Sequence, residues 1–459
     1  MRKGLLMSSV VIFGGLLVAA WMVHGTGVIK NDPEASISIP DELTSKLQVK
    51  ASYDGENIWF RYRWPVERPS IFHDVLVYQD GEWVKQAGEE VGPSENFLTE
   101  DRVSMMIDDG SVPLFSRYGG YITIGEGLTT FTGVPETDEE RTKYLPETRT
   151  DPGDFEAMKP ESDLETLRKA GYFIDLWQWR SSRSNPNSVG DDGLVSAERS
   201  GDKGTGPYTT NWDKALNQPK VMFDPAIVPG GALNIDDVIG GVITQDDTYA
   251  LTPAVAVPFD PTLAWKNGDT IPRRMLREVS GSRGDVVEPT VARWEDGFWD
   301  VTLVRKMDTG NTLDDKIFRE GGSYDLAFAV FRNASTMRWH YVSLPTSLGL
   351  GQPAELQAVK FAGDEPAWDQ PWYETTVFYP GQVSWPLLTN PEKHPGADKI
   401  AERVPVKFRH NPEQLAAYGV EIEFADQIKR QWFLTLLASL GLIAALGFNI
   451  NLLMTRKES

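Results

Sequence analysis

Apolar and polar positions alternate with a period of two over several stretches of this chain. Ile58, Phe60, Tyr62 and Trp64 interleave with Trp59, Arg61 and Arg63, and Trp299, Val301 and Leu303 interleave with Asp300, Thr302 and Val304. Successive side chains of a strand point to opposite faces, so each stretch predicts a strand with one face buried. Residues 324–332 predict a further, more apolar strand. Asp54-Gly55, Asp80-Gly81 and Asp296-Gly297 each sit beside an aromatic stretch, where glycine admits the positive φ of a tight hairpin. Together these signals predict a mainly β fold, an antiparallel β-sandwich with long loops, rather than a βαβ arrangement. Helix is sparse: 164–170, ended by Gly171, is one short candidate, and another begins near Pro412. Long connections rich in Gly, Asp, Asn and Pro are expected at 184–219 and 391–404.

Two long, predominantly apolar runs break this pattern. One covers 4–23 behind Arg2 and Lys3, the other 432–454 ahead of Arg456 and Lys457. About 20 apolar residues suffice to cross a bilayer core, so a transmembrane helix is expected at each end. Basic residues at both tips place the tips in the cytoplasm and the body outside it, although Lys429 and Arg430 give the second run a basic flank on its other side too. The first run also reads as a signal peptide cleaved near Val23-His24-Gly25, and on either reading the body is exported. The expected organisation is an anchor or signal peptide at 1–26, an exported domain at 27–425 and a C-terminal membrane helix with a cytoplasmic tip at 426–459. The expected location is a bacterial cytoplasmic membrane with the domain on its periplasmic side.

Composition narrows the chemistry. With 66 Asp and Glu against 45 Lys and Arg, the net charge of −21 opposes binding to phosphate backbones, so no nucleic-acid partner is expected. The absence of cysteine excludes disulfides, thiolate zinc sites, iron–sulfur clusters and a Cys-linked heme. Neither a nucleophile elbow nor a His-Glu-x-x-His pair occurs, and the glycine-rich 201–206 lacks the Lys-Ser/Thr of a phosphate loop, so no residue is assigned a catalytic role. The acidic pairs 108–109, 191–192, 236–237, 246–247 and 314–315 read as solvated turns or as oxygen ligands for calcium, and 187–193 is where an ion is expected first. Trp177, Trp179, Trp368 and Trp372 read as core or as stacking platforms for a sugar. Of five histidines, His24, His394 and His410 lie near the apolar runs or in polar stretches, whereas His73 and His340 have aromatic neighbours in the sequence. Each of that pair reads as a structural histidine or as a metal ligand.

The segments 175–186 (Asp-Leu-Trp-Gln-Trp-Arg-Ser-Ser-Arg-Ser-Asn-Pro), 324–330 (Tyr-Asp-Leu-Ala-Phe-Ala-Val) and 338–343 (Arg-Trp-His-Tyr-Val-Ser) resemble the heme-binding domain family of ethylbenzene dehydrogenase. The likeness extends over about 51–387. It implies a β-sandwich holding one heme b without covalent attachment, and an electron-transfer role beside a redox-protein partner or membrane complex. In the enzyme subunits of that family the axial pair is Met and Lys. The chain is more similar to membrane-anchored relatives, which implies His73 and His340 as iron ligands, with Met106, Met105 and Met337 in reserve and Arg338 as a partner for a heme propionate. Some of those relatives attach a further heme covalently in the region matching 119–125, where this chain has neither Cys nor His. A heme-free subunit that positions a partner at the membrane, and a carbohydrate-binding sandwich, are the alternatives.

Overall fold

The computed structural model describes residues 12–16, 19, 44–88, 94–123, 143–151, 156–334, 340–378 and 425–455. The predicted alternations are strands. β1 (Thr44–Tyr53) and β2 (Asn57–Pro65) form one hairpin, β3 (Asp74–Gln79) and β4 (Glu82–Ala87) another. β5 (Glu100–Asp108) is followed by helices α1 (Phe115–Tyr118) and α2 (Glu161–Lys169), then by β6 (Ile174–Arg180), β7 (Asp191–Val195) and β8 (Arg199–Gly201). Short pieces come next: β9 (Tyr208–Thr210), β10 (Val221–Phe223), β11 (Leu233–Asn234), helix α3 (Ile235–Gly240), β12 (Ala256–Pro258), β13 (Asp269–Pro272), β14 (Arg274–Leu276) and β15 (Arg293–Glu295). The remaining strands are β16 (Phe298–Lys306), β17 (Ser323–Ala334), β18 (Tyr341–Ser343), β19 (Thr346–Leu350), β20 (Leu356–Lys360) and β21 (Tyr373–Phe378). A terminal helix, α4, covers Ala425–Thr455.

One sheet runs in the order β15-β16-β2-β1-β20-β19-β17-β5-β6-β7-β8, and β21 and β18 make a second bridge from β1 to β17. Folded on itself, it becomes the expected sandwich, with β16-β2-β1 facing β17-β5-β6. The aromatic positions of the alternating stretches meet between these halves. Trp179 packs edge-on against Trp64 at 5.8 Å and Trp299 at 5.0 Å, and Phe60 meets Trp177 at 5.6 Å. Edge-to-face contact aims the positive rim of one ring at the negative face of the next, which adds to the large apolar area each ring removes from water. All of these rings are fully buried.

The turns follow the sequence reading with one refinement. Asp80-Gly81 and Asp296-Gly297 have positive φ at both residues, the backbone of a tight hairpin whose twist matches its strands. At Asp54-Gly55 only the glycine has positive φ, and the Asp54 carboxylate instead accepts the N–H groups of Glu56 and Asn57 at 2.7 and 2.6 Å.

Three expectations change. The connection 184–219 is not one irregular loop: β7 and β8 extend the large sheet at its edge, with Asp191, Asp192, Gly193 and Gly201 in strand, and β9 pairs with β14. The connection 391–404 lies outside the described residues. Among the described residues no helix is long and apolar enough to cross a membrane, so the expected spanning helix at each end is not seen as such. Of the run 4–23 only 12–16 and 19 are described, as helix, and within α4 several side chains, Trp432 among them, lie outside the described set. The chain divides into two compact units, Ile39–Asn411 and the paired end segments Met1–Ser38 and Pro412–Ser459.

Candidate cofactor cleft

Alternation along β5, β6 and β17 gives this sheet two unlike faces. The inner face carries Met105, Trp177 and Trp179; the outer carries Ser104 and Met106 of β5, Leu176 and Gln178 of β6, and Ala327, Ala329 and Phe331 of β17. Strand register sets these outer residues side by side, with Met106 opposite both Ala327 and Leu176 and Ser104 opposite both Ala329 and Gln178. They floor a cleft whose walls are Gly120, Lys143, Arg199, His340 and Val342. The cleft encloses about 650 Å³ including its open mouth. That volume falls within the usual range of ligand pockets.

The two sulfurs of Met105 and Met106 are separated by the sheet. Met105 points inward, where its Sδ accepts a hydrogen bond from the Tyr62 hydroxyl at 3.3 Å. Met106 reaches the cleft. Above it runs the helical turn Gly119–Ile122, and a Cβ added at Gly120 would lie 3.7 Å from the Met106 Sδ and 3.2 Å from Val342 Cγ1. The missing side chain at Gly120 therefore keeps the space beside the sulfur clear.

His340 is buried and its ring stacks on Phe331, centroids 5.0 Å apart and planes within 17°. Arg102 caps the Phe331 ring at 5.0 Å and is tied to the fully buried Glu100 through its Nε at 2.8 Å. The imidazole is thus oriented by an aromatic ring that Arg102 also contacts. Two cations complete the lining. Burial, and then the charge of Arg199, pull the Lys143 ammonium down to about 8. Arg199 donates to Gln178 Oε1 at 3.0 Å.

The structure does not bring His73 and His340 together. His73 lies at the start of β3 in a separate, much smaller pocket with Phe72, Tyr249 and Arg274, its Nδ1 3.0 Å from the Asp74 carboxylate. Burial, and then the Arg183 charge, hold its imidazole down to about 4. Arg183 in turn binds Glu100 through Nη2 at 2.6 Å, so His73 belongs to a buried ionic cluster. Arg338 and Met337 lie outside the described residues. Lys143 and Arg199 were not singled out from the sequence, since neither belongs to an alternating stretch or a motif; only their shared wall in the folded chain relates them. Trp177 and Trp179 are fully buried and offer no platform to a sugar, while Trp368 and Trp372 are half-buried beneath the guanidinium of Arg61.

The profile of the family described as ethylbenzene dehydrogenase matches residues 25–343. The chain belongs to that family. Every residue lining the cleft lies inside the matched span, and membership points to a redox-related or electron-transfer subunit. No curated protein matches the chain. The cofactor that the family implies, a heme, needs a flat apolar slot with nitrogen or sulfur donors at the iron and cations for its carboxylates. The lining of the cleft in this ethylbenzene dehydrogenase family member fits that description in its apolar floor, in the thioether of Met106 and imidazole of His340, and in the cations Lys143 and Arg199.

Proposed function

We propose that this protein is an electron-transfer subunit that binds one heme b without covalent attachment in the cleft on the outer face of β17-β5-β6. The observation that carries the reading is the presence of a thioether, an imidazole and two cations in the lining of one largely apolar cleft. A heme bound there would supply one-electron redox chemistry. Met106 and His340 would hold the iron. Phe331 orients the His340 ring, and Ala327, Ala329, Leu176 and Val342 exclude water. Lys143 and Arg199 would pair with the propionates, the role that the family resemblance suggested for Arg338.

A second pair of residues that would hold the iron has a specific observation in its favour. Among the described residues no carboxylate pairs with Lys143, and its lowered ammonium pKa eases access to the neutral amine that ligation requires. A Met106–Lys143 pair would match the Met and Lys of the family's enzyme subunits. Spectra of the heme-loaded variants separate the two. Loss of the wild-type ligand-field bands in His340→Ala and their retention in Lys143→Ala supports Met106–His340, and the reverse supports Met106–Lys143. Retention in Met106→Ala sinks both.

Membrane attachment belongs to the same reading. It is supported by the apolar run 432–454 within α4, and by the exposure of Phe433, Leu434, Leu436, Leu437, Leu440, Leu446, Phe448 and Leu453 along that helix. Residues so spaced lie on several sides of a helix, and apolar surface all round is the mark of a helix that needs an apolar environment. The sandwich would then stand on the periplasmic side beside a redox partner. Carbonate extraction of membranes tests this: the full chain is expected in the pellet and a chain ending before residue 425 in the supernatant.

A further inference from the structure

The inner face of the sandwich ends in a knot of buried charge. Asp175 of β6, Asp192 of β7 and Asp315, in the connection between β16 and β17, have carboxylate oxygens within 4.8 Å of one another, and all three are buried. A single guanidinium lies among them. Arg305 of β16 donates from Nη1 to Asp192 at 3.1 Å and Asp315 at 2.8 Å, and from Nη2 to Asp175 at 2.7 Å. One positive charge faces three negative ones at full burial, a balance that costs heavily in a low-dielectric interior.

A fourth carboxylate worsens the balance and makes no bond that would explain it. Asp202, next after β8, is only 4% exposed, and neither of its carboxylate oxygens accepts a hydrogen bond from the described residues. Oδ1 of Asp175 is likewise without a donor. The backbone N–H of Asp202 bonds to the Asp192 carbonyl at 3.2 Å, and the charges acting most strongly on its carboxylate are those of Asp175, Asp315 and Asp314. The nearby cations are committed elsewhere: Lys316 binds Asp108 and Asp109, and Arg283 binds Asp191.

We propose that Asp175, Asp192 and Asp315, with the unpartnered carboxylate of Asp202 beside them, form a structural divalent-cation site that takes calcium. The ligands are all hard oxygens, with no histidine, which excludes the softer transition metals. Several carboxylates from separate segments suit the larger, geometrically tolerant Ca²⁺ better than Mg²⁺, which keeps most of its water and seldom uses an all-protein cage. The ion would staple β6, β7, the end of β8 and the β16–β17 connection at one end of the core.

The test uses the purified full chain, stripped with EDTA and dialysed. Calcium added at millimolar concentration is expected to raise the melting temperature by several degrees and to bind with near one-to-one stoichiometry by calorimetry, with a smaller response to magnesium. Asp202→Asn, which removes a charge the apo site does not pair, is expected to fold and to lose the calcium response. A wild-type chain whose melting temperature and calorimetric baseline ignore calcium overturns the proposal. An Asp202→Asn chain that still responds as wild type also overturns it.

Discussion

Met105 and Met106 differ by one position and by everything their side chains touch. Met105 lies under the Tyr62 hydroxyl within the core, so Met105→Ala leaves a cavity and is expected to lower stability by about 2–5 kcal/mol in a denaturant titration, with the heme spectrum unchanged. Met106→Ala is expected to do the opposite, altering the heme spectrum at little cost to the fold. His73 makes a separate prediction. Its imidazole is held at about 4, below the ordinary 6.5, so the unfolded chain takes up the proton first; the stability His73 contributes is complete above pH 6.5 and is lost as pH falls towards 4. Against burial, Arg183 and Arg102 hold Glu100 down to about 2, which extends the same loss to lower pH. Asp74, pinned by His73, Arg273 and Arg274, has its carboxyl lowered and shares that sign, while the fully buried Asp101, raised to about 6, has the opposite one. Comparing the pH dependence of chemical unfolding in wild type and His73→Gln isolates the imidazole. The variant should lack the part of the acid loss that falls between pH 6.5 and 4, and a superimposable profile would contradict this account. The two histidines were legible as buried residues in aromatic company, but their separation was not. Sequence neighbours do not reveal which cavity a side chain enters.

β6 shows at the level of an element why some of the site could be read and some could not. Its alternation, with Trp177 and Trp179 on one side and Leu176 and Gln178 on the other, is visible in the sequence and places it in a two-faced sheet. What each face meets depends on β5, β7 and β16, which arrive from far along the chain. Asp175 thus reads as one more acidic residue until Arg305 appears opposite it. Replacing Arg305 with Leu would leave the carboxylates without their shared partner, and a loss of about 3–5 kcal/mol is expected in urea unfolding. The helical turn Gly119–Ile122 was noticed only for lacking a cysteine. Its role depends instead on Gly120, where there is space beside the Met106 sulfur. Gly120→Leu is expected to fold and to lose heme binding by absorbance titration; unchanged affinity would show that the ligand does not use that space.

At the scale of the whole molecule, the mainly β architecture, the hairpin turns and the aromatic core were legible because each rests on local alternation or on Asp-Gly chemistry. The cleft was not. Its floor and wall residues are contributed from positions 104–342, and its two cations, Lys143 and Arg199, have no local signature. Family membership covers the same span and supplies the redox context. The account joins these into one claim, that the outer cleft of an anchored sandwich carries a non-covalent heme. The most direct measurement is a pyridine-hemochrome assay, with the Soret spectrum, on the full chain purified from cells supplied with ample heme. The account predicts close to one heme b per chain, extractable by acidified acetone, with the band lost in the Met106→Ala, His340→Ala double variant. A chain that remains folded but shows no Soret band, before or after titration with free heme, would contradict it.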